Sequence, residues 1–288
     1  MGGKIENLND QENPVVDYTL IPVPEKERMG KLSMTMAWWA VCSAMFWLIV
    51  PATLAMTLGT VNVLIGLGLS VIVYSLINAV LTKFAIKTGM SVSATIIYYC
   101  VFEGSVIAVA ISHYFTGVEL EWAYLIVVLY SVPLVFGSVQ HWLDKFNGWL
   151  LPLYVCGIII AVVLTISEYG YSTAWLELGQ DANPPENGWW QCFVFFMGVW
   201  VMMMMSFDFA RFGKESDKDY HAHFSFGWAF YVFTFLINGL AGIFIASMIP
   251  LEGGVTEVSA VLGLLELMGI FGLIFVWVSQ TRINTANF

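Results

Sequence analysis

The stretch Trp189–Lys214, WWQCFVFFMGVWVMMMMSFDFARFGK, decides the fold. No charged residue falls between Trp189 and Phe207. As a helix rising 1.5 Å per residue, those roughly 19 positions reach about 28 Å, close to the about 30 Å of a bilayer's hydrocarbon layer. The run then ends in Asp208, Arg211 and Lys214, so positive charge gathers at one end. It reads as a membrane span.

The composition agrees. Of 288 residues, 59% are hydrophobic and 11% charged, where soluble domains carry about 25% charged residues. The mean hydropathy is +0.77. These values exclude an ordinary soluble domain and define an all-α membrane protein whose first partner is the lipid bilayer. The net charge of -10 comes mostly from the tail and loops, so it implies neither a basic partner nor a nucleic acid. Cys42, Cys100, Cys156 and Cys192 lie in apolar runs without CxxC spacing, as expected of small buried hydrophobes rather than disulfides or metal ligands. No metal is expected.

Eight apolar runs follow a polar tail, near residues 34–57, 61–82, 91–114, 122–140, 147–166, 189–210, 224–250 and 257–285. Residues 1–30 form the tail, without the apolar core of a cleavable signal, and residues 31–288 the transmembrane domain. Pro22 and Pro24 predict an extended, weakly ordered arm up to Met29. Alternating the spans from a cytoplasmic N-terminus puts all eleven basic residues on one side. Lys4, Lys26, Arg28 and Lys31 are in the tail; Lys83 and Lys87, Lys145, and then Arg211, Lys214 and Lys218 are in loops; Arg282 ends the last run. The opposite loops hold only acids, among them Glu119, Glu168, Glu177 and Glu252. This is the positive-inside pattern of a multi-pass protein of the cytoplasmic membrane. Apolar runs this long are not β-barrel strands.

Several residues are candidates for function. Pro51 in the first span removes a backbone donor and frees the Trp47 carbonyl, as a kink or as a break that could hold a cation. Glu103 sits near the middle of the third span, where a carboxylate costs on the order of 3 kcal/mol and is functional by default. Phe102 and Trp200 could stack on a planar ligand, and Gly198 could admit one or allow close helix contact. Asp208 and Arg211, three residues apart, read as an interfacial ion pair or as a cytoplasmic gate. Glu266 has no assigned role. The final run, WVSQTRINTANF, either lines a polar pathway or leaves the membrane. Phosphate-loop, zinc and His-based catalytic motifs are missing from the sequence, so no enzyme is expected.

These residues resemble the nucleobase:cation symporter-1 permeases, the carriers of cytosine, purines, allantoin and hydantoins. DYTLIPVPEKER before the first span is similar to that family's entry segment, DFARFGK at 208–214 to its loop after span six, and INTANF at 283–288 to its eighth span. The resemblance implies a LeuT-type inverted-repeat fold, with substrate held between broken spans one and six and spans three and eight. It implies stacking by Phe102 and Trp200 and an Asn287 that hydrogen-bonds the heterocycle; Glu103 and Gly198, read from their own chemistry, join the expected substrate site. It also implies a sodium site of span-one carbonyls near Met45 and Leu48 with span-eight hydroxyls. Thr281 matches one hydroxyl, but Arg282 stands where the next is expected. A guanidinium cannot ligate Na⁺ and can replace its charge, so coupling to Na⁺ is absent, or H⁺ serves instead through Glu103. Family members have twelve spans, so eight imply an incomplete fold.

The expectation is therefore a secondary transporter importing a nucleobase or related heterocycle by alternating access, with no cofactor beyond Na⁺ or H⁺. Two alternatives stand: a quaternary-amine or amino-acid carrier on the same fold, and a non-transporting membrane sensor or scaffold. Oligomeric state is open.

Overall fold

The computed structural model is all-helical. It describes Tyr18 and residues 21–90, 97–135, 139–250 and 259–286, with backbone alone at 97–103, 131–135, 139–147 and 284–286. Thirteen α-helices are described. They are α1 (Lys31–Trp38), α2 (Phe46–Leu58), α3 (Thr60–Thr88), α4 (Ile97–Tyr114), α5 (Leu120–Val135), α6 (Val139–Tyr169), α7 (Gly188–Met197), α8 (Val201–Ala210), α9 (Lys218–Tyr220), α10 (Trp228–Tyr231), α11 (Asn238–Met248), α12 (Ser259–Met268) and α13 (Ile270–Ala286).

Four helical stretches among the described residues are long and apolar enough to cross a membrane: Lys31–Leu58, Thr60–Thr88, Gly148–Tyr169 and Glu215–Met248. The α7 and α8 pair, bent by 41°, makes a fifth when counted as one span. Their outward side chains are apolar, with Leu76, Val80, Trp149 and Leu153 well exposed, as on a surface solvated by acyl chains. The protein is a helical multi-pass membrane protein.

The spans are interrupted in ways that position the site. The first is split between α1 and α2 by a 3-10 turn at Val41–Ser43, after which Ala44 turns extended at ψ 129°. Pro51 does not make this break. It lies inside the continuous α2, where its ring packs against a position with no side chain: a Cβ on Gly239 would come within 3.2 Å of Pro51 Cγ. The α7/α8 bend is at Gly198, whose N–H is shared by the Val194 and Phe195 carbonyls at 3.0 Å each, tightening the last turn. The run at 257–285 is likewise divided, because Gly269 adopts a left-handed φ of 54° between α12 and α13.

α3 is the spine of one half of the molecule and packs on α7, α8 and α10. Its buried hub is Asn78. Nδ2 donates to the Phe226 carbonyl and to Tyr231 Oη, both at 2.9 Å, and Oδ1 lies 2.7 Å from Ser206 Oγ. One turn away, Tyr74 Oη donates to the Phe196 carbonyl at 2.7 Å. Span two is thereby tied to both halves of span six and to span seven by satisfied polar contacts, which in hydrocarbon have no water to replace them.

The arm is a correction. The described part of it, expected to be weakly ordered, is packed. Val23 is buried and its N–H donates to the Gly89 carbonyl at 3.0 Å. Arg28 Nη1 donates to the Ile86 carbonyl at 2.7 Å. Met29 N donates to Phe212 O at 2.6 Å, and Lys214 N to Met29 O at 3.2 Å. The prolines keep the arm extended, and extended backbone pairs with the carbonyls and N–H groups exposed at helix ends.

Candidate functional site

The break in the first span is the candidate site. Counting from Lys31, Cys42 lies roughly 15 Å along the span, near the middle of an about 30 Å hydrocarbon layer. Nothing in WWAVCSAMF forbids a helix, since it contains neither glycine nor proline. Partners on other spans hold the break open. Gln280 Oε1 on α13 accepts the Met45 N–H at 3.0 Å. Asn238, at the start of α11, donates from Nδ2 to the Cys42 carbonyl at 2.6 Å. Ser43 Oγ donates to the Ala40 carbonyl at 2.7 Å and lies 3.2 Å from the Ser279 carbonyl. Trp47 Nε1 closes the turn on the Val41 carbonyl at 2.8 Å.

Two features of this cluster exceed structural need. The Arg282 side chain is fully buried on α13, the helix that packs against both the Val41–Ser43 turn and α6. Expected at the basic end of the last run, the arginine is instead enclosed by protein, and a guanidinium withdrawn from water is costly, so its retention calls for a role. Acceptor capacity is also left over: Asn238 Oδ1 and Thr234 Oγ1, about one turn apart in span seven, are buried without a hydrogen-bond partner. Thr234 belongs to a π-helical stretch at Val232–Ile237 that packs against the Val41–Ser43 turn. Such widened turns recur at functional sites.

The residues expected to form a cation site have their described oxygen contacts elsewhere. Met45 and Leu48 are fully buried, but the Met45 carbonyl accepts from Leu48 N and Ile49 N at 3.0 and 2.9 Å, inside the first turn of α2. A Cβ on Gly242 would sit 2.1 Å from the Leu48 carbonyl oxygen, so α11 closes over that group. Thr281 Oγ1 donates back to the Trp277 carbonyl at 2.7 Å and lies 3.5 Å from Tyr130 Oη. Arg282 is on the helix that packs against the break.

Of the expected substrate residues, only Gly198 and Trp200 lie where side-chain surroundings are described. Trp200 is half exposed at the α7/α8 bend, next to Gly198, so it lies at a surface rather than in a closed stack. Phe102 and Glu103 are on α4, which packs against α13, but their side chains lie outside the described residues. Asn287 also lies outside them.

At the expected gate, Arg211 Nε donates to the Asp208 backbone carbonyl at 3.1 Å, and Nη1 reaches across to the Tyr18 carbonyl at 2.6 Å. The arginine therefore secures the arm. Glu266 pairs with His113 Nε2 at 3.3 Å, joining α12 to α4. Cys42, Cys156 and Cys192 are free thiols, and no His/Cys/Asp/Glu cluster of metal-binding size occurs among the described residues.

Sequence reasoning passed over Asn238, Ser43 and Thr234, and took Gln280 only as one polar residue of the final run. Asn238 carried a legible signal, an amide within an otherwise apolar span. Comparison with protein-family models, with curated proteins and with solved structures finds no match.

Proposed function

We propose that this chain is a secondary transporter of the LeuT type that imports a nucleobase or related planar heterocycle, with its N-terminus in the cytoplasm. What carries the reading is the break in the first span, where Asn238 reaches the Cys42 carbonyl with its Oδ1 left unpartnered and where α13, the helix of the buried Arg282, packs on the Val41–Ser43 turn. Helix breaks at mid-membrane are tolerated where they are buried in protein or line a cavity, and carriers use them to hold substrate. A heterocyclic amide carries N–H donors for an acceptor such as Asn238 Oδ1 and carbonyl oxygens for a guanidinium. Interruptions in both the first and sixth spans support the same arrangement.

Arg282 also bears on the choice of ligand and ion. A fixed positive charge beside the break repels a permanently cationic substrate, which weighs against the quaternary-amine reading. The same charge takes the place of a bound Na⁺, so transport runs without a sodium gradient.

The test is uptake into proteoliposomes, with and without Na⁺, from a panel of cytosine, uracil, xanthine, allantoin and betaine. Heterocycle uptake indifferent to Na⁺ is expected. Strict sodium dependence overturns the ion assignment, uptake of betaine alone overturns the substrate class, and no binding or uptake of any compound favours the scaffold.

A further inference from the structure

A second buried polar cluster lies at the membrane face that carries the arm. Glu215–Met248 covers 34 residues but is interrupted at Gly227 (φ -105°, ψ -143°), and its charged residues Glu215, Asp217, Lys218 and Asp219 all precede that interruption. Its first part, including His221, therefore lies outside the hydrocarbon. The His221 ring is fully buried there. Nδ1 lies 2.9 Å from Ser225 Oγ, Ser225 Oγ lies 2.7 Å from Thr35 Oγ1 of α1, and Thr35 Oγ1 lies 2.7 Å from the Lys31 carbonyl.

These distances fix the protons. Two oxygens at 2.7 Å need a hydrogen between them, and a carbonyl has none to give, so Thr35 donates to Lys31 O. Ser225 must then donate to Thr35, which leaves it to accept from His221 Nδ1–H. Burial holds the ring's pKa below its ordinary value, so at neutral pH it is uncharged and its bare acceptor is Nε2, which is buried without a partner.

We propose that His221 is a proton-binding site that controls the docking of α1 onto the start of the seventh span. Protonation of Nε2 adds a donor and a charge where no acceptor waits. Lys31 of α1 opposes the charge and Asp217 attracts it, but these two are already engaged with each other at 3.7 Å. The other nearby charges are likewise engaged: Lys83 of α3 holds Asp219 at 2.7 Å, Lys218 holds Glu215 at 3.4 Å, and Arg211 holds Tyr18 and Asp208 through their carbonyls. Tyr220 and Phe226 meet the ring edge-on, and a Cβ on Gly213 would come within 3.2 Å of its Cδ2. His223 is exposed.

Thr35 and Trp39, whose Nε1 donates to the Ser225 carbonyl at 3.0 Å, are the α1 groups released when Ser225 moves. The docked form binds one proton fewer than the undocked form. Docking is therefore favoured at high pH and weakens by up to about tenfold per unit as pH falls below about 6.5, the ordinary imidazole value.

The test is hydrogen exchange of the α1 amides in nanodiscs between about pH 8 and 5, corrected for the intrinsic pH dependence of exchange. Wild-type protection is expected to fall at least about tenfold. His221→Asn keeps a donor near Nδ1 but lacks Nε2, so its protection should stay high and flat. An equal fall in both proteins, or none in the wild type, overturns the proposal. So does ¹⁵N NMR of the wild type at neutral pH showing His221 protonated at Nε2, a reading that needs no variant to fold.

Discussion

Gln280 on α13 and Met45 at the head of α2 meet across the molecule, where the amide oxygen accepts the backbone N–H that the broken first span leaves over, at 3.0 Å. Both residues are fully buried. Gln280→Leu should strand the Met45 N–H and cost about 1–3 kcal/mol. Gln280→Glu keeps an acceptor oxygen and should cost less if its carboxyl is taken up protonated. Thermal unfolding in detergent reads the order, and equal midpoints for wild type and the leucine variant would show that the bond contributes nothing.

Asn78 is the corresponding hub for spans two, six and seven. Asn78→Leu removes its bonds to the Phe226 carbonyl, Tyr231 Oη and Ser206 Oγ together. Leaving buried polar groups unpaired should cost about 2–3 kcal/mol, more than the transfer gain from a leucine returns. A midpoint within a degree or so of wild type would contradict this accounting.

How far the sequence could be read depended on which physical term set each feature. The multi-pass helical character was legible because apolar length answers to bilayer thickness, and four or five of the eight expected spans are helices of crossing length among the described residues. The last run was divided by Gly269, a residue whose φ of 54° needs no side chain to explain it. Pro51 left a kink or a break open in the first span, because proline is a local signal whereas the break at 39–45 is held by Gln280 and Asn238, roughly 200 residues away in the chain. The packed arm was hidden for the same reason. Its prolines forbid a helix, but the carbonyls of Gly89, Ile86 and Phe212 that hold it cannot be seen in its own composition.

Helix contact at the site depends on a missing side chain. A Cβ on Gly242 would approach the Leu48 carbonyl oxygen to 2.1 Å, backbone that cannot turn aside. Gly242→Ala should push α11 off α2 and destabilise by about 1–3 kcal/mol. Gly68→Ala, where nothing lies within 4 Å, should be neutral or slightly stabilising because alanine favours the helix. Reversal of that order in a thermal melt would refute the packing described.

Arg28 holds the arm by two bonds, to the Val23 and Ile86 carbonyls. Arg28→Met keeps the aliphatic stem and removes both. Residues 21–29 should then exchange amide hydrogen at least about tenfold faster, while α3 keeps its protection. Unchanged exchange in the arm would mean that Val23 and the Met29 pairing hold it unaided.

Arg282 gives the sharpest test of the transport reading. If its guanidinium stands in for a sodium ion beside Cys42, Arg282→Ser removes the resident charge and supplies the hydroxyl that the resemblance expects at that position. Substrate binding should weaken by about tenfold or more in Na⁺-free buffer and recover as Na⁺ is added, with K⁺ ineffective, since a monovalent cation now has oxygen in place of a repelling charge. Arg282→Lys keeps a positive charge and should remain indifferent to Na⁺. Isothermal titration with the best heterocycle, repeated in Na⁺ and K⁺, separates the cases. A serine variant that binds equally well in both salts would remove Arg282 from any ionic role and leave it as a packing residue.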